Sequence, residues 1–190
     1  MIFLSASVPH KGREYYGTEN VFAIREAIIA FTTVCVQYGI HFYFGGHPAI
    51  TPLVWGVAMQ HVSNGLPLID IYQSKIFGDE MPPEIKSFQN VHFTECVENN
   101  KRRSIKRMRE IMFDENNTEC AVFIGGMDGI KDEYQMLHDK YPDVCCLPIA
   151  STGGASADLY KELNINNPLL SDSYAYTWIM RDLLLPYKTK

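Results

Sequence analysis

Three glycine pairs carry the clearest chemical signal in this chain. They stand in Phe44-Gly45-Gly46-His47, Ile124-Gly125-Gly126-Met127 and Ala150-Ser151-Thr152-Gly153-Gly154. Each follows a short apolar run and reads as a turn at the carboxyl end of a strand. Glycine lets the backbone approach a ligand closely and adopt positive φ, so that amide hydrogens can converge on phosphate oxygens. A glycine pair can equally do no more than end a strand, and both readings stay open for each pair taken alone. His47 lies inside the first of these loops. His10, His41, His61, His92 and His138 are scattered without metal-ligand spacing, so neither a metal nor a cofactor is expected.

Several familiar chemistries are missing from the sequence. There is no G-x-x-x-x-G-K-[ST] loop for a nucleoside triphosphate. The first apolar run ends in Ser5-Ala6-Ser7 without a G-x-G-x-x-G, which argues against dinucleotide-dependent redox chemistry. No G-x-S-x-G elbow marks a hydrolase nucleophile.

The elements that must position these loops alternate in period. Ile2–Ala6 is too short and apolar for a helix. Residues 19–36 place Val21, Ile24, Ile28 and Phe31 at helical spacing, with Thr18 as the expected N-cap. A strand is expected over Ile40–Phe44, a helix over Thr51–His61, and short strands over Pro67–Tyr72 and Val91–Glu95. In residues 100–114 one stripe holds Ile105, Met108 and Met112, while Arg102, Arg103, Lys106 and Arg107 take the other side. Cys120–Ile124 and Val144–Ile149 read as buried strands, Ile130–Lys140 and Ser173–Leu184 as helices, and residues 74–90 as a long irregular stretch. Strands alternating with helices predict an α/β fold: one Rossmann-like, doubly wound, mainly parallel sheet in a single domain over residues 1–190. In such a sheet ligands collect beyond the carboxyl ends of the strands, and all three glycine loops would share that rim.

Composition sets the outer limits. The chain has 190 residues, 46% apolar and 21% charged, and a formal net charge of −5. That balance argues against general affinity for a nucleic-acid backbone. Five Cys without a Cys-x-x-Cys pair predict no zinc ribbon and no neat disulfide framework. Together with the absence of an evident membrane span or signal peptide, they lead to the expectation of a cytoplasmic protein with no membrane partner.

One segment is more specific than any of these. Gly125-Gly126-Met127-Asp128-Gly129-Ile130-Lys131-Asp132-Glu133 resembles the P-G-G-x-G-T-x-x-E signature of the LOG phosphoribohydrolases, which belong to the SLOG superfamily (SMF/DprA and LOG-like Rossmann proteins). LOG proteins also carry a helix arginine sixteen residues before the first signature glycine, and Arg109 stands sixteen residues before Gly125. Phe3–Pro9, the run Phe44-Gly-Gly-His-Pro-Ala-Ile-Thr-Pro52 and Leu147–Gly154 resemble the SLOG subgroup of bacterial immune-type nucleotide sensors. The sequence departs from the signature at Asp128, an extra residue, at Ile130 in place of the threonine, and at Ile124 in place of the proline.

The resemblance implies two functions. The first is a sensor for a nucleotide-derived signal, an ADP-ribose or NAD-derived species, in antiviral defence. Such a site needs a glycine rim, an arginine for charge-assisted phosphate contacts, and groups for ribose and base. Ser5, Ser7, His47, Thr51, Arg109, Gly126, Ser151, Thr152 and Gly153 supply those types, although Thr51 and Thr152 can equally cap helices. The second is a nucleotide N-glycosidase in which Glu133 stabilises or traps an oxocarbenium-like sugar and Arg109 holds the phosphate or orients Glu133. Glu133 can also be read as a solvent-facing residue of a helix first turn. Either way the implied partner is a small nucleotide ligand, with self-association as a dimer or tetramer. Whether a separate effector protein acts downstream stays open. A blander reading makes Lys101-Arg102-Arg103 with Lys106-Arg107 a patch for another macromolecule; on an acidic chain a solvated helix face is the simpler account.

Overall fold

The computed structural model describes residues 1–61 and 68–188. Six strands form one sheet: β1 (Ile2–Ser7), β2 (Phe42–Gly45), β3 (Ile69–Ser74), β4 (Asn90–Thr94), β5 (Cys120–Gly125) and β6 (Cys145–Ile149). Their order is β4-β3-β2-β1-β5-β6, and every neighbouring pair is parallel. The chain therefore winds outward from β1 to β4, crosses back, and continues on the other side of β1. The reversal lies between β1 and β5, where the sheet's carboxyl edge opens a crevice. This is the expected doubly wound α/β architecture.

Strand periodicity sorts side chains into two layers. Ile2 and Leu4 of β1 join a core with α1 (Val21–Tyr38), α2 (Thr51–Gln60), the short α6 (Pro168–Ser171) and α7 (Tyr176–Leu184). Phe3, one residue out of phase, joins a second core with α3 (Lys101–Glu115), α4 (Asp128–Lys140) and α5 (Gly154–Glu162). Phe3 meets Phe113 edge-on at 5.0 Å and Tyr43 at 5.2 Å. Each such fully buried ring contributes roughly 1.5–3 kcal/mol through removal from water.

Three local expectations change. The cap of α1 is Asn20, whose side chain accepts from the Ala23 amide, while the Thr18 hydroxyl donates to Tyr15 O at 2.7 Å. The reason is tertiary: Glu19 pairs with Gly153 and the Asn20 amide donates to Thr152 O at 3.0 Å, which holds the chain extended past Thr18. Helix α1 is also long and apolar enough to cross a membrane, with a mean hydropathy of 1.4, contrary to the expectation that no stretch would be. Ten of its residues are buried, eight of them in the first core, and it packs against β5, α2 and α7. Finally, residues 74–90 are not wholly irregular but hold 3-10 helices at Lys75–Glu80 and Pro83–Ser87. The strand expected from Pro67 begins at Ile69; Pro67 itself lies outside the described residues.

Candidate functional site

At the carboxyl edge of the sheet, beside the reversal between β1 and β5, lies a cleft of about 210 Å³. The carboxyl ends of β1 and β2 floor it, with Ser5, Ser7, Gly45, Gly46 and His47. Met127, Asp128, Gly129, Ile130 and Glu133 form one wall at the start of α4. The opposite wall holds Ile105, Met108 and Arg109 of α3 with Phe77 from the 3-10 helix, and Arg13 reaches in from the loop after β1.

Arg109 organises the centre. Its Nε donates to Glu133 Oε1 at 2.9 Å, and its Nη2 donates to Gly129 O at 3.2 Å. A third contact, Nη1 to Asp132 Oδ2 at 3.3 Å, adds little because that carboxylate is 69% exposed. The side chains of Arg109 and Glu133 are only 14% and 17% exposed, so this pair is shielded from water. Ser5 Oγ donates to Glu133 Oε2, which leaves both carboxylate oxygens engaged. Gly129 permits the approach: a Cβ there would lie 2.8 Å from Arg109 Nη2.

The glycine amides are not the anion donors the sequence suggests. Gly46 N donates to Tyr72 O, Gly125 N to Thr152 Oγ1, and Gly126 N to Ser7 O, all within 2.9 Å. Gly153 N bonds Ala150 O, and Gly154 N reaches Thr18 O at 3.4 Å. These turns instead close the backbone so tightly that side chains are excluded. Gly126 has φ +85°, and a Cβ there would strike Ile130 Cδ1 at 1.9 Å. What remains for an anion is the first turn of α4, which follows directly. Its N-cap, Met127, makes no side-chain cap, and Ile130 N already donates to Met127 O at 2.9 Å, so the amides of Asp128 and Gly129 are the ones that meet the cleft, beside the Asp128 carboxylate of the same turn.

His47 is a neutral donor. Its pKa is lowered to about 4, first by burial and then by the nearby His10. Nδ1 accepts from the Ala49 amide at 3.1 Å, which assigns the ring proton to Nε2. Thr51 stands behind it, its Oγ1 accepting from the His47 amide at 3.0 Å; this hydroxyl braces the loop rather than capping α2, whose N-cap is Ile50.

The structure thus brings together Ser5, Ser7, Gly45, Gly46, His47, Arg109, Met127, Gly129 and Glu133. Gly125 and Gly126 form the turn that leads into this wall. Ser151, Thr152, Gly153 and Gly154 lie outside the cleft lining. Ser151 Oγ is 3.0 Å from the Tyr176 hydroxyl, and Thr152 ties β5 to β6 through Gly125 N and Ile149 O. Arg13, Phe77 and Asp128 line the cleft without having been singled out as ligand contacts. Arg13 pairs with Asp128 Oδ1 at 2.6 Å; its place in the loop after β1 is a signal that topology alone could supply, whereas nothing in the irregular stretch marks Phe77. Among the described residues, no group of three His, Cys, Asp or Glu could hold a metal.

Chemically, the cleft offers phosphate a helix N-terminus and two guanidinium groups, Arg13 and Arg109, which a ligand must share with Asp128 and Glu133, and it offers a sugar the Ser5 and Ser7 hydroxyls and His47. Phe77, Ile105 and Met108 give an apolar wall for a base. A separate hollow of about 400 Å³ between α1 and α7 holds Tyr174, Trp178 and Glu26, the last paired with Arg25, and has no lysine or arginine in its lining.

Comparisons with known proteins agree with this architecture. No curated protein matches the chain. Four solved chains do, among them the X-ray structure of TM1055, a structural genomics target, with a TM-score of 0.64 at 11% identity, covering 95% of this chain and 97% of that one. At that identity the likeness is one of fold. The model of the SLOG cluster3 family matches residues 14–184, nearly the whole sequence. The chain belongs to the SLOG cluster3 family.

Proposed function

We propose that this protein is a sensor domain whose rim cleft binds a nucleotide-derived signal, an ADP-ribose or NAD-derived species, in bacterial antiviral defence. The observation that carries the reading is the meeting of Arg109, the uncapped first turn of α4 and an apolar wall at the point where the sheet reverses. The biological setting rests on the resemblance of residues 44–52 and 147–154 to immune-type SLOG proteins. Self-association as a dimer or tetramer belongs to the same reading, and sedimentation velocity decides it.

A hydrolase is the second reading, favoured by the shielded position of Glu133 on the cleft wall. Its carboxylate could stabilise a developing oxocarbenium ion electrostatically. As arranged, however, both oxygens accept from Arg109 and Ser5, and attack by the carboxylate would first have to break one of these bonds.

A thermal-shift panel of AMP, NAD, ADP-ribose and cyclic ADP-ribose isomers tests the proposal. A ligand at 100 times its Kd adds ~2.7 kcal/mol, raising the midpoint by roughly 5–10 °C in a chain of this size. Chromatography of the same samples separates the readings: unchanged ligand supports the sensor, and released base with sugar phosphate supports the hydrolase. A panel without any shift or product removes both.

A further inference from the structure

The cleft does not end at Arg109. It continues into a groove of about 850 Å³ between α3 and α4, and Arg13, Ile105, Arg109, Asp128 and Gly129 line both. The groove's charged lining is five cations, Arg13, Lys101, Arg102, Lys106 and Arg109, against Asp128 and Asp132. On a chain of net charge −5 this is a local reversal of sign.

The pairing pattern sharpens it. Most basic side chains of α3 have an acidic partner: Lys101 with Glu80, Arg103 with Glu98, Arg107 with Glu110 and Arg109 with Glu133. Arg102 and Lys106 have none among the described residues. They stand at i and i+4, with Arg109 at i+7, so the three share one face of α3 and form a track running from the groove into the cleft. Unpaired guanidinium and ammonium groups along a channel are suited to a second phosphate, and the cleft's own volume of about 210 Å³ is below the usual range for a whole small-molecule ligand, which must then extend into the groove.

Resting on the sensor reading, we infer that this groove is a second anionic subsite, so that the ligand is a dinucleotide-class molecule with at least two phosphates, the second lying against Arg102 and Lys106. Asp128 and Asp132 on the α4 side interrupt the positive lining, which confines the unopposed charge to a short stretch of α3 and favours a compact molecule over a polymer.

Isothermal titration of the full chain with AMP, ADP-ribose and NAD tests this, alongside the neutral double variant R102Q/K106Q. Both side chains are exposed and outside the cores, so folding is not at stake. The expected result is that wild type binds a diphosphate at least about 10-fold more tightly than AMP, and that the variant loses that margin while its AMP affinity stays within about twofold. Equal affinities in wild type, or a variant that leaves the margin intact, overturn the second subsite but spare the sensor reading. Failure of all three ligands to bind wild type overturns both. A labelled single-stranded oligonucleotide is the last arm: binding abolished by R102Q/K106Q, with the diphosphate margin unchanged, reassigns the groove to nucleic acid and overturns the inference.

Discussion

Arg109 and Glu133, twenty-four residues apart in sequence, meet at 2.9 Å across the cleft from two adjacent helices, with Ser5 closing the remaining carboxylate oxygen. The pair is shielded enough that removing either member leaves a charge without its counterpart.

Arg109→Ala is therefore expected to lower stability by ~1–3 kcal/mol and to weaken nucleotide binding at least ~10-fold. Arg109→Lys keeps the charge but loses the fork that serves Glu133 and Gly129 O together, and should fall between. Urea melts and titration calorimetry on the same preparations measure the two effects.

Glu133→Gln separates the two functional readings. In a sensor the amide still spans Ser5 and Arg109, and affinity changes by only a few-fold. In a hydrolase product formation disappears while binding survives, which product chromatography detects directly.

His47 predicts a pH dependence. Its folded pKa, about 4, lies below the ordinary 6.5, so the unfolded chain takes up the proton first. The stabilisation is complete above pH 6.5 and is lost as pH falls toward 4, with a slope of up to ~1.4 kcal/mol per pH unit. His47→Asn, which can still accept from the Ala49 amide, should flatten that part of the stability curve. Identical slopes in the two proteins would show that other groups govern it.

Phe77 is half-buried on the apolar wall, with Lys101 Nζ 5.1 Å from its ring centroid. Phe77→Ala should cost about 10-fold in affinity for base-bearing ligands, in the range of one base–aromatic stack, and should leave ribose 5-phosphate binding unchanged. Competition between the two ligands reads the difference.

Gly153→Ala tests how the last strand's loop is tied down. Gly153 has φ +69°, and an added Cβ would lie 2.3 Å from Thr18 O. Strain and collision together predict a loss of roughly 2–4 kcal/mol, visible as a lower urea midpoint with ligand-contacting groups untouched.

Sequence periodicity by itself determined the alternation of strands and helices, and with it the parallel, doubly wound sheet. Apolar spacing is a local property, and right-handed crossovers leave few ways to assemble it. Arg109, Gly129 and Glu133 were legible through the resemblance to the LOG signature, because a few residues of one helix and one turn carry it. What each glycine does was decided only in three dimensions. Whether the amides of Gly46, Gly125 and Gly126 are free depends on Tyr72, Thr152 and Ser7, residues remote in sequence that occupy those hydrogen bonds. The same holds for Thr18 and Thr152, whose roles follow from the contact of the β6 loop with the start of α1, and for Arg13 and Phe77, which reach the cleft from segments with no periodic signature. Hydrogen-bond partners are assigned by packing, and packing joins residues that a linear pattern cannot pair.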